Sequence, residues 1–300
     1  MDDRFEVAGG SVVGRAHLRE LAWRNNQDAG AWGRTPGALA AVVCDGCGAE
    51  PHSEIGARLG ARLTLAAVLE RVSHGGDVGM PEFWDGVTAQ VLARIASLAD
   101  AMGGSWRRVI HEHFLFTVCG AVVTEATTAL FALGDGVMYL NGEPLPLPSF
   151  ANNAPPYLAY RLLDGASVGW LTSTAGDPSP GPVCGSPGFD DAELRIRVRA
   201  ALPTANVESI LIGTDGVADL AGDGRGGLPG RAIRQFWTDD VYFANPLAIT
   251  RRLALMNRQH RTVDRGTGTV TTTGGRLHDD TTLVVIKRRG PVAGGERVSC

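Results

Sequence analysis

The stretch Leu39-Ala40-Ala41-Val42-Val43-Cys44-Asp45-Gly46 runs apolar up to a carboxylate and then turns at a glycine. A short, Val-rich run with no polar interruption reads as a strand buried on both faces. The same arrangement returns at Leu130-Phe131-Ala132-Leu133-Gly134-Asp135-Gly136 and at Ile210-Leu211-Ile212-Gly213-Thr214-Asp215-Gly216. A fourth apolar strand, 282–286, begins just after Asp279-Asp280. A carboxylate at the mouth of a buried strand is held rigidly, and several mouths meeting at one edge concentrate negative charge that cations make tolerable. Hard oxygen ligands select Mg²⁺ or Mn²⁺ over Zn²⁺. Each Asp-Gly pair taken alone also fits a hairpin turn; repetition at strand ends is what favours a site.

Outward from these strands, the apolar runs 114–123 and 207–212 read as further sheet elements. Ile55, Leu59, Leu63 and Ala66 recur at near-helical spacing after a Ser53 cap, and Phe83, Val87, Val91 and Ile95 repeat the pattern. Helices are also expected over 229–237 and 246–258, each with a proline near its start. Strands and helices come in blocks, which argues for an α+β fold of antiparallel sheets layered with helices and against a doubly wound parallel sheet. The Gly-, Pro-, Ser- and Thr-rich stretches 173–188 and 265–276 read as surface loops. One domain is expected over 1–287, with a flexible tail at 288–300.

A chain of 300 residues with 44% hydrophobic content buries a substantial core. Its formal net charge of −4, with no Lys/Arg-rich run, excludes a general basic field for nucleic acid or an anionic membrane. The segment Met1-Asp2-Asp3-Arg4-Phe5-Glu6 lacks the basic start and apolar core of a signal peptide, and 114–123 is too short to span a bilayer. Five scattered cysteines agree with a reducing compartment, so a cytoplasmic address is expected.

Five short motifs appear in order: Asn26-Gln27-Asp28-Ala29; Val43-Cys44-Asp45-Gly46-Cys47-Gly48 leading into Ser53-Glu54-Ile55-Gly56-Ala57; Ala132-Leu133-Gly134-Asp135-Gly136; Thr214-Asp215-Gly216-Val217-Ala218-Asp219; and Asp279-Asp280-Thr281-Thr282-Leu283-Val284-Val285. In that order they resemble the metal-dependent type-2C (PPM) serine/threonine protein phosphatases, and more closely a bacterial subgroup of them. The resemblance implies a four-layer sandwich of two antiparallel β-sheets flanked by α-helices. It implies two Mn²⁺ or Mg²⁺ ions with a weaker third, and hydrolysis of phosphoserine and phosphothreonine in proteins by a water that two cations activate. Asp45 would bridge the metals with the Gly46 carbonyl as a further ligand, Asp215 and Asp279 would complete one shell, and Asp28 would act nearby. Asp135 and Asp219 match the positions of the third metal. A phosphorylated protein substrate, a partner serine/threonine kinase and a signalling role follow from the same resemblance. The alternative from another class is a catalytically weak or inactive phosphatase-fold module that binds phosphoproteins; none of Asp45, Asp215 and Asp279 is missing, which favours catalysis. A small-molecule phosphate is the third possibility.

Departures from the family pattern are Gln27 where many members carry Glu, Cys47 where His or Met is usual, and Trp23 in place of a phosphate-binding arginine. Arg24 is the nearest candidate to hold the phosphate. Cys44 and Cys47 form a C-x-x-C without a second pair, so packing is the simpler reading than redox chemistry or zinc. His111-Glu112-His113 is read on a strand, where alternate residues merely share a face. No Gly-Lys-Ser/Thr phosphate loop, dinucleotide fingerprint or Gly-x-Ser-x-Gly elbow is present.

Overall fold

The computed structural model describes residues 4–19, 25–163, 188–221 and 231–290. The strand that ends on Asp45 is β3 (Ala38–Asp45), inside a five-stranded antiparallel sheet ordered β2 (Asp28–Thr35), β3, β4 (Val118–Thr124), β5 (Thr127–Leu133) and β8 (Arg197–Pro203). A second antiparallel sheet of five strands is ordered β1 (Phe5–Val12), β12 (Thr281–Arg288), β9 (Ser209–Gly213), β6 (Val137–Leu140) and β7 (Glu143–Leu145). A separate hairpin joins β10 (Gln259–Val263) to β11 (Val270–Gly274).

Alternation of side chains along a strand turns two continuous apolar runs into four layers. On β3, Ala40, Val42 and Cys44 pack into a core shared with helices, while Leu39, Ala41 and Val43 pack into a core between the sheets. On β12, Val284 and Ile286 enter the same inter-sheet core, whereas Leu283 and Val285 face a third core under the opposite helices. Short α1 (Arg15–Arg19) follows β1. The helices α2 (Ser53–Ser73), α3 (Pro81–Met102) and α4 (Trp106–Phe114) cover the first sheet; α5 (Ala218–Ala221), α6 (Arg231–Thr238), α7 (Val241–Ala244) and α8 (Ala248–Met256) cover the second. The architecture is an α+β sandwich of two antiparallel sheets between helical layers.

Close contact of α2 depends on small residues along its buried side. A side chain at Gly60 would bring its Cβ to 2.2 Å from the Phe116 ring, so only glycine lets the helix lie this near.

Four expectations change in detail. Ser53 is the buried first residue of α2, and its hydroxyl donates to the Cys47 carbonyl (2.9 Å) instead of capping the helix. The run 114–123 splits, because Phe114 ends α4 and pairing as β4 starts only at Val118; an apolar run alone does not separate helix end from strand. His111-Glu112-His113 therefore lies on helix α4, not on a strand. The expected loop 265–276 contains β11, since threonine and valine hold extended backbone as readily as they decorate a loop. Of the other expected loop, 173–187 lie outside the described residues, as do 291–300 of the expected tail; Arg288 closes β12.

Candidate functional site

Register brings the first two acids together. In the β2–β3 ladder Asp28 stands directly opposite Asp45, one at the start and one at the end of its strand. Asp215 opens the tight turn Asp215–Val217 after β9, and Asp279 precedes β12, which pairs with β9. Asp135 sits between Gly134 (φ 88°) and Gly136 (φ 134°), a turn that needs glycine on both sides.

The electrostatics show that these mouths converge. Burial pushes the Asp45 carboxyl well above the usual carboxylate range, reinforced by Asp28, Asp215, Asp279 and Asp135. Burial does the same to Asp28, opposed by the hydroxyl of Thr214 and reinforced by Asp280, Asp215 and Asp279. Asp215 is pushed up to about 6, first by burial and then by Asp279 and Asp135. Asp28, Asp45, Asp135 and Asp215 thus share one neighbourhood that disfavours their ionised forms.

Asp28 is fixed by a closed ring of hydrogen bonds that ties both sheets together. Thr214 Oγ1 donates to Asp28 Oδ2 at 2.6 Å and accepts the Thr282 N–H at 3.1 Å. The Thr282 and Ser11 hydroxyls lie 2.6 Å apart, Asn26 Nδ2 donates to Ser11 Oγ at 2.7 Å, and Asn26 Oδ1 accepts the Asp28 N–H at 3.0 Å. One carboxylate oxygen, Oδ1, is left outside this ring.

Asp280 has the opposite surroundings. It is 2% exposed, yet Oδ1 accepts the Gly14 N–H and Oδ2 the Gln27 N–H, both at 2.6 Å. His17 Nδ1 lies 2.8 Å from Oδ2, and this contact raises the imidazole above its ordinary value despite burial. His17 Nε2 is also 3.6 Å from Asp279 Oδ1, so the ring spans both acids. Gly14 is obligatory here, because a Cβ would come within 2.2 Å of the Asp279 carbonyl carbon.

A family model described as protein phosphatase 2C matches residues 13–160, the part that carries Asp28, Asp45 and Asp135. The chain belongs to the protein phosphatase 2C family. Its fold extends that likeness over nearly the full length. Serine/threonine phosphatase Stp1 from Staphylococcus aureus is 14% identical with a TM-score of 0.51, over 95% of this chain and 96% of that one. A bacterial serine phosphatase is likewise 14% identical with a TM-score of 0.50, over 96% and 99% of the two chains. At such identity the likeness is one of fold. No curated protein sequence matches the chain at a significant level.

In this family member the structure brings Asp28, Asp45, Asp135, Asp215 and Asp279 together. Gly46 is adjacent, its N–H donating to the Gln27 carbonyl at 3.1 Å; a Cβ there would lie 2.8 Å from that oxygen and from the Ser53 carbonyl. Asp219 is exposed, and its Oδ2 accepts the His278 N–H at 2.7 Å, one residue before Asp279. Arg24 and Trp23 lie outside the described residues. Gln27 turns its amide toward the start of α2, donating to Glu50 O (3.0 Å) and Ser53 Oγ (2.7 Å). Cys44 and Cys47 are free thiols, and burial pushes the Cys44 thiol up. Sequence reasoning missed Asp280, His17, Thr214, Ser11 and Thr282 as parts of the site. Only the doubled acid at 279–280 was a signal, and it did not say which acid is structural. Among the described residues no helix is long and apolar enough to cross a membrane.

Proposed function

We propose that the chain is a metal-dependent protein phosphatase acting on phosphoserine and phosphothreonine, with 1–287 as its single catalytic domain. The observation that carries this reading is the Asp28–Asp45–Asp215 cluster beside Asp279: burial and the neighbouring acids push the carboxyls of Asp28, Asp45 and Asp215 above the usual carboxylate range. A partly buried group of carboxylates is a donor set of hard oxygens, and it fits Mn²⁺ or Mg²⁺. Asp45, with the Gly46 carbonyl, would be shared by two ions; Asp215 and Asp279 would serve one of them, and Asp135 and Asp219 a weaker third. When bound, such ions supply Lewis acidity, activating water for in-line attack and offsetting charge on the phosphoryl oxygens.

The chain's own residues do the positioning. Asp28 is aimed by the Thr214 hydroxyl and its own N–H, which leaves Oδ1 as an acceptor for a proton of the attacking water. Asp280 holds the Gly14–His17 segment against Asp279, so the ligand side of β12 is fixed by donors that ask nothing of a metal. Arg24 is our candidate to hold the phosphate. Opposite such an enzyme stands a serine/threonine kinase, and we place both in cytoplasmic signalling.

Purified protein should release phosphate from a phosphothreonine peptide with Mn²⁺ or Mg²⁺ and stop on chelation. Undiminished release after exhaustive chelation would overturn the reading.

A further inference from the structure

The β10–β11 hairpin stands outside both sheets. Its strands pair residue for residue from Gln259↔Gly274 to Val263↔Val270, and among the described residues neither strand pairs with a third. An isolated two-stranded hairpin is marginal in water, and its two open edges are templates for another strand. Residues 262–271 are exposed throughout, including Val263 (59%) and Val270 (57%), a facing apolar pair near the tip.

The base of the hairpin is fastened to the site. Gly275 N–H donates to the Arg258 carbonyl (3.2 Å), Arg15 N–H to Leu277 (3.0 Å) and Ala16 N–H to His278 (2.9 Å), immediately before Asp279. Arg15 lies against Gly275, where a Cβ would be 3.4 Å from its Cδ, and Arg15 Nη2 is 3.2 Å from His278 Nδ1. Strands of this length extend roughly 17 Å, so an extended segment laid along the hairpin reaches the mouth where the acids converge.

Charge decides the occupant. Residues 258–276 hold four arginines and one aspartate, a net of +3, in a chain whose net charge is −4. The one aspartate is consumed locally, since Asp264 Oδ1 accepts the Gly266 and Thr267 N–H groups of its own turn. Arg258, Arg265 and Arg276 are exposed, and among the described residues none pairs with a carboxylate. We propose that this hairpin is a docking arm for an acidic, extended segment of the phosphoprotein substrate, which pairs along a free edge while the three guanidiniums hold its carboxylates. The proposal rests on the reading of the site as a protein phosphatase, and deepens it by assigning substrate preference to residues outside the acid cluster. Main-chain pairing supplies affinity of low specificity, and the arginines select acidic side chains next to the phosphorylated residue.

The test is a binding experiment on the full chain with Mn²⁺ present. Two fluorescein-labelled unphosphorylated peptides are compared by anisotropy, one rich in Asp and Glu, the other with Asn and Gln in their place. The acidic peptide should bind at least tenfold more tightly, the preference should weaken with salt, and the triple reversal R258E/R265E/R276E should bring the two within twofold of each other. Arg265→Glu alone, at the exposed turn, should cost about threefold. Equal binding of both peptides by the wild type, a preference retained by the triple variant with a native circular dichroism spectrum, or tighter capture of a DNA oligonucleotide than of the acidic peptide would overturn the docking arm. Hydrolysis of p-nitrophenyl phosphate by the wild type reports separately on catalysis. Discrimination without hydrolysis would sink the phosphatase reading and keep the arm; hydrolysis without discrimination would do the reverse.

Discussion

Asp45 and Asp280 stand at the same mouth of the sandwich, and their surroundings are opposites. Asp280 is enclosed by donors: two backbone N–H groups and an imidazole converge on its two oxygens. Asp45 is enclosed by acids, and its own backbone N–H donates to the Thr117 hydroxyl at 3.3 Å. Burial alone therefore does not separate a structural carboxylate from one proposed to hold a cation. The count of donors aimed at the oxygens does, because a satisfied anion needs nothing further and an unsatisfied one needs a countercharge.

The largest effect is expected at Asp45. Asp45→Asn should lower phosphate release by at least about a thousandfold, roughly 4 kcal/mol of transition-state stabilisation, since the shared ligand charge is lost. The metal-free variant should nevertheless melt no lower than the wild type, because one of several mutually repelling acids has become neutral. Added Mn²⁺ should no longer raise its melting temperature. A metal-free variant that melted several degrees lower would make Asp45 a structural group like Asp280.

Asp280→Ala should do the converse. It strands a buried imidazole and two N–H groups, and breaking a buried pair on one side costs roughly 3–5 kcal/mol. Urea denaturation in chelator should show that loss at an unchanged m-value. If Asp280→Ala kept its stability and lost only Mn²⁺ response, the roles of the two aspartates would be exchanged.

Stability against pH separates the two kinds of acid as well. An acid whose folded value is raised binds its proton more tightly in the folded state, so its contribution is complete below the ordinary carboxylate value and is lost as pH rises through the folded value. For Asp215, at about 6, the window is from the ordinary carboxylate range to just above pH 6, and Asp28 and Asp45 share the sign. Chelated protein should therefore lose stability across that window relative to Asp215→Asn, and Mn²⁺, which favours the ionised forms, should reverse the slope. A chelated wild type that gained on Asp215→Asn as pH rose would contradict the crowding of the acids.

Legibility in the sequence followed the same divide. The strands β3, β5, β9 and β12 were readable because burial on both faces leaves unbroken apolar runs. The strands β1 and β2 were not, because Gly9, Gly10, Gly30 and Gly33 interrupt any apolar run there; a Cβ at Gly9 would lie 2.6 Å from the Trp32 ring, so that glycine makes room for packing between strands. Asp28, Asp45, Asp135, Asp215 and Asp279 announced themselves by standing at the ends of apolar runs or inside ordered motifs. Asp280, His17, Thr214 and Ser11 act through partners up to 271 residues away, and no local pattern encodes such a partner.

The smallest effect expected lies between the two extremes, at Asp28, which is an acid among acids but has one hydroxyl donor of its own. Thr214→Val keeps the shape of the side chain and removes the hydroxyl that joins Asp28 Oδ2 to the Thr282 N–H. Both partners lose a hydrogen bond, so some stability goes, about 1–3 kcal/mol for buried groups left unsatisfied. The informative loss is in metal response: Asp28 is proposed to act beside the ions, and losing a partner that orients such a group from behind changes metal affinity by about tenfold or more. Thr214→Val should therefore need about ten times more Mn²⁺ for half-maximal phosphate release, while Thr214→Ser, which restores the hydroxyl, should return close to the wild-type value. Titrating Mn²⁺ against both variants decides whether the ring serves the site or only the fold. Equal Mn²⁺ requirement in Thr214→Val and wild type, with stability alone reduced, would move Asp28 to the side of Asp280.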